Sequence, residues 1–80
     1  MSFNNQAKLL RVTRFNAGLG QQQMAERLGF DSAQMVSNIE RGVMGIPSKY
    51  WKKLIELCGI GPLKEALIGD LKEHMRGVLK

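Results

Sequence analysis

The residues best suited to chemistry lie in one short stretch, Ser32-Ala33-Gln34-Met35-Val36-Ser37-Asn38-Ile39-Glu40-Arg41. Val36 and Ile39 are apolar at helical spacing, so a helix over 32–41 turns them inward, with Met35 partly so. Ser32, Ala33, Gln34, Ser37, Asn38 and Arg41 are left on the outward side. A carboxamide carries an acceptor and a donor side by side, a match for N6 and N7 of adenine in a major groove. An alanine methyl suits the thymine methyl, and a serine hydroxyl either donates or accepts. This is chemistry of reading rather than of bond making.

Bond-making chemistry finds little support. His74 is the only histidine and Cys58 the only cysteine. One subunit therefore cannot assemble a metal site from these ligands, and no nucleophile stands with a plausible base. Gly18-x-Gly20 and Gly59-x-Gly61 belong to neither a P-loop nor a dinucleotide fingerprint. No enzyme, cofactor or metal is expected.

The outward residues need elements to hold them. Met24, Ala25 and Leu28 share one face of a helix over 21–28, and Gly29 follows where a helix needs a left-handed terminal residue. Asp31 with Gln34 three positions on fits a capping box, a role that would turn the Gln34 side chain to the backbone instead of a base. Ala25 is small enough for two helices to cross sharply, and Gly42 ends the second. Two short helices so joined have the layout of a helix-turn-helix, whose second helix enters a major groove.

The combination Gln21-x-x-x-Ala25-x-x-x-Gly29 followed by Ile39-Glu40-Arg41-Gly42 resembles the Xre/Cro type of lambda-repressor-like DNA-binding domain. The resemblance covers about 6–60. Two features depart from it. The turn and the start of the second helix carry one residue more than the commonest family pattern, and Gly20 stands where Ser, Thr or Asn is usual. The resemblance implies an all-α, five-helix fold and base contacts from Ser32, Ala33, Gln34, Ser37 and Asn38. It places Gln21, with Gln22 beside it, against the DNA backbone, and pairs Arg14 with Glu40 in a partly buried salt bridge. It also implies a homodimer on a palindromic operator, in a transcriptional regulator of the repressor kind found in phages and mobile elements. Two other outcomes share the fold: an antitoxin that also autoregulates, and an interaction module that has lost DNA binding.

Charge agrees with a polyanion partner. Residues 1–53 carry eight basic side chains (Lys8, Arg11, Arg14, Arg27, Arg41, Lys49, Lys52, Lys53) against Glu26, Asp31 and Glu40. Residues 54–80 balance four against four, so the whole net charge of +5 lies beside the outward helix. Arg41, Lys49 and Lys52 are the basic residues expected at phosphates. Eighty residues give one core, the lone cysteine forbids an intrachain disulfide, and no apolar run spans a bilayer. A cytoplasmic location is the expectation.

The remaining elements follow from periodicity. A first helix over 6–17, capped by Asn4 or Asn5, gathers Ala7, Leu10, Thr13, Arg14 and Ala17 on one face. Leu9, Val12 and Phe15 form a second stripe, either scattered exposure or a covered surface. The apolar loop Val43-Met44-Gly45-Ile46 packs under the fourth helix or joins a subunit contact. That helix starts at Pro47-Ser48, with Tyr50 or Trp51, Leu54, Leu57 and Cys58 inward. Residues 1–60 thus form the DNA-binding unit and 61–80 a last amphipathic helix. Ile68, Leu71, Met75 and Val78 repeat at 3–4 spacing there and are expected to make the dimer.

Overall fold

The computed structural model describes residues 2–78. Within them five α-helices and no strand are found: α1 (Asn4–Asn16), α2 (Gln21–Leu28), α3 (Ala33–Glu40), α4 (Trp51–Cys58) and α5 (Ile60–Val78). A 3₁₀ turn, Ser48–Tyr50, leads into α4. The all-helical, five-helix expectation holds. None of the described helices is long and apolar enough to cross a membrane.

The core draws on every helix. Leu10, Met24, Leu28, Val36, Ile39 and Leu54 are wholly buried and Leu63 nearly so. Each such side chain contributes about 1.5–3 kcal/mol relative to exposure. Ala25 is buried where α2 meets α3, as its size allows. Gly29 closes α2 at φ 79°, and the Phe30 N–H returns to the Ala25 carbonyl at 2.8 Å. This left-handed closure turns the chain sharply and carries Phe30 inward. There Phe30 packs edge-on against Tyr50, ring centroids 4.5 Å apart. Ile46 is buried, and its carbonyl accepts the Trp51 indole N–H at 2.7 Å. The loop after α3 therefore tucks under α4 at Ile46, while Val43 stays exposed.

Several boundaries differ from expectation for identifiable reasons. α1 begins at Asn4 with Phe3 before it, and neither Asn4 nor Asn5 is the cap. The capping comes from across the fold. Asp70 of α5 accepts the Asn5 and Gln6 backbone N–H groups at 2.8 and 3.0 Å, and the Asn5 side-chain amide at 2.9 Å. A carboxylate on the first amides of a helix is favoured by hydrogen bonding and by the helix dipole together. Ala17 follows the end of α1 and is exposed, so it leaves the inward face. Asp31 does not cap α3: Ser32 is the N-cap residue, and its side chain caps nothing. Gln34 is thus free of the capping box.

The last helix is also divided differently. Leu63, Ala66 and Asp70 are buried against the body, so the first half of α5 belongs to the same core as residues 1–60. Gly69 permits the approach, because a Cβ there would lie 2.9 Å from Asn5 Cγ. Residues 71–78 of α5 are all exposed.

Candidate nucleic-acid interface

α3 is eight residues long and would not persist alone in water. Its inward side is fixed by Val36 and Ile39 in the core. Its C-terminal end is held by two arginines of α1. Arg14 meets Glu40 through Nε to Oε2 at 2.7 Å and Nη2 to Oε1 at 3.0 Å, the forked geometry that guanidinium and carboxylate favour. Arg14 Nη1 also reaches the Leu19 carbonyl, in the turn before α2, at 3.1 Å. Arg11 Nη2 donates to the Glu40 carbonyl oxygen at 2.7 Å, a cation on the last turn of α3. α1, the α1–α2 turn and α3 are thereby locked at one point. The Glu40 hydrogen bond raises the Arg14 pKa above the ordinary arginine value, with burial opposing.

The pair implied by the family resemblance is present, and it draws in an additional side chain. Gln21 Nε2 lies 3.4 Å from Glu40 Oε1 and is half-buried. Gln21 thus faces the ion pair at one end, whereas Gln22 is exposed and bonds Glu26 along its own helix at 3.3 Å. Gly20 begins α2 without a side chain, and Gln23 compensates: its Oε1 accepts the Gly20 N–H at 2.8 Å. That is half of a capping box, supplied from the third helical position.

On the outward side of α3, Ser32 and Gln34 are exposed, and Ala33, Ser37 and Asn38 are half-exposed. Three of the polar groups are joined. Gln34 Nε2 donates to Asn38 Oδ1 at 3.0 Å, and Arg41 Nη2 donates to the same oxygen at 2.6 Å. One oxygen thus fixes three side chains along one edge of the helix. Asn38 Oδ1 has both lone pairs engaged, so in this state the residue does not offer adenine the side-by-side pair expected of it.

With Glu40 consumed by Arg14, the positive charge of this half is on the surface. Lys8, Arg11, Arg27, Arg41, Lys49, Lys52 and Lys53 are all exposed, against exposed Glu26 and Asp31. Lys49 Nζ sits 5.1 Å from the centre of the Tyr50 ring.

The stripe expected at a subunit contact is open. Ile68, Leu71, Met75 and Val78 are 40, 57, 50 and 76% exposed. Three residues that shape this region, Arg11, Gln6 and Asp70, are not among those expected from sequence. Gln6 is buried and its Oε1 accepts the Ile46 N–H at 2.7 Å, tying α1 to the loop beyond α3. A signal existed for two of them. Gln6 lies four before Leu10, and Asp70 lies seven after Leu63, so both fall on inward faces where a polar group must find a partner.

Set against protein-family models, curated proteins and solved structures, the chain finds no match. The reading of this surface therefore rests on its own geometry.

Proposed function

We propose that this protein is a sequence-specific, double-stranded DNA-binding regulator of transcription, most simply a repressor, with a lambda-repressor-like helix-turn-helix made by α2 and α3. The observation that carries the reading is the placement of α3. It is short and polar on its outward side, and it is anchored from behind by the Arg14–Glu40 fork and by Arg11. A helix held this way offers Gln34, Ser37, Asn38 and Arg41 as a rigid set. Rigidity lowers the ordering cost when base edges are met. The exposed cations on the same part of the chain supply the phosphate attraction that sequence-independent affinity requires.

Two copies would bind together. The exposed α5 stripe repeats at the spacing of a two-helix seam, and a two-fold dimer doubles the contacts to a palindromic site. Selection of bound sites from random duplexes tests the proposal. Enrichment of an inverted repeat, its half-sites about one helical turn (~34 Å) apart, is expected. A pool that stays random after repeated rounds would remove the reading.

A further inference from the structure

α5 presents two faces. Leu63, Ala66 and Asp70 are buried against the rest of the chain. The exposed stripe of Ile68, Leu71, Met75 and Val78 lies about a third of a turn around the helix from them. Lys64, Gly61 and the 69% exposed Ile60 carry that stripe back to the start of α5. Glu65 and Lys72 are both exposed and flank it on the edge away from the buried face, seven positions and so about two turns apart. Opposite charges placed this way on one edge answer each other when a second copy of the helix runs in reverse beside the first.

We infer that two copies of this chain join through α5 in an antiparallel seam, with Ile68 of each against the partner's Leu71 and Lys72 of each against the partner's Glu65. The inference rests on the reading that two copies act together, and it adds their orientation and register. Two-fold symmetry makes every such contact twice. The helices then overlap over 61–78, about 27 Å. Met75 lies along the aliphatic stem of the partner's Lys64, whose ammonium stays in water. Val78 lies over the partner's Gly61, where a side chain would meet only open space, and covers Ile60 beside it. A parallel seam instead sets Lys64 against Lys64, faces Lys72 with Leu67 and Glu65 with Ile60, and answers no charge. An antiparallel seam shifted to put Leu71 against Met75 sets Lys72 against Lys72 and leaves Ile60 uncovered.

Exchange of the two charges provides the test. Dimer dissociation constants of the full chain, Glu65→Lys, Lys72→Glu and the double variant are compared by sedimentation equilibrium at low salt. Both positions are exposed, so each variant should fold. Each single change replaces two ion pairs in the dimer by two like-charge pairs and should weaken dimerisation about tenfold. The double variant restores both pairs in reverse and should return to within about twofold of the native chain. Net charge alone cannot imitate this, because Glu65→Lys raises the charge of a basic chain and Lys72→Glu lowers it. Single variants that shift in opposite directions would overturn the register while leaving the dimer. So would a double variant no tighter than the singles. A native chain that stays monomeric at all concentrations would instead remove the two-copy reading, and the seam with it.

Discussion

Arg14 and Glu40 stand 26 positions apart in sequence and meet through two parallel hydrogen bonds of 2.7 and 3.0 Å, with side chains only 12 and 7% exposed. This fork joins α1 to the last residue of α3. Glu40→Ala alone should destabilise the fold by about 3–5 kcal/mol, because it leaves a guanidinium with little water and no counter-charge. The double change with Arg14→Ala should cost less than the two single changes summed. A double-mutant cycle by urea unfolding measures the difference; simple additivity would show that the fork carries no coupling.

Asp70 does for the start of α1 what Arg11 and Arg14 do for the end of α3. It caps amides 64 and 65 positions away in sequence. Asp70→Ala should cost about 1–3 kcal/mol, with Asp70→Asn in between, since one amide oxygen still accepts. Hydrogen exchange should localise the loss to the first turn of α1. Unchanged protection there would mean that another group caps the helix.

Two glycines of α5 should respond in opposite directions to the same substitution. At Gly77 an added methyl would meet nothing within 4 Å, so Gly77→Ala should stabilise by about 0.5–1 kcal/mol through helix propensity. At Gly69 the methyl would meet Asn5, whose amide is tied to Asp70, so Gly69→Ala should destabilise. Thermal unfolding of the two variants gives the signs directly, and a stabilising Gly69→Ala would show that α1 and α5 are not closely docked.

Cys58 supplies a pH dependence. Burial raises its thiol above the ordinary value, with its own backbone and the Thr13 hydroxyl opposing. A raised folded value means that the contribution is complete below the unfolded thiol's range and is lost as pH rises through the folded one. The native chain should therefore lose more stability than Cys58→Ser between neutral and strongly alkaline pH. Parallel stability curves for the two would contradict this. Arg14, also raised, keeps its charge throughout that span.

Leu71 and Met75 are exposed, so Leu71→Asp with Met75→Asp should leave each chain folded while sedimentation shows monomers. A variant that stays dimeric would move the contact to another exposed apolar site, of which Val43 is the nearest to α3 in sequence.

The helices from α1 to α4 were legible because local signals agreed there: Gly29 at a left-handed end, Ala25 at a crossing, Val36 and Ile39 at helical spacing. Ion pairing of Arg14 with Glu40 came from the family resemblance, since no local pattern links residues so far apart. What escaped was non-local polar pairing. Asp70 reads as one more charge on a basic-acidic helix until α1 is seen to need a carboxylate at its first turn. Arg11 likewise reads as surface charge, although its guanidinium reaches the Glu40 carbonyl. The outward residues of α3 were identified by periodicity. Their mutual hydrogen bonds were not, because side chains three and four apart on a helix either bond each other or face outward separately, and sequence does not choose.

The claim that α3 reads DNA is tested most directly by equilibrium titration of the chain against its selected duplex and a scrambled duplex over a range of salt. The selected duplex should bind about a thousandfold tighter or more, with a log–log salt slope of about −4 to −7 from some four to eight phosphate contacts. Asn38→Ala should weaken binding to the selected duplex by about ten- to a hundredfold while leaving the scrambled duplex bound as before. Equal affinity for the two duplexes, or binding indifferent to salt, would contradict the account.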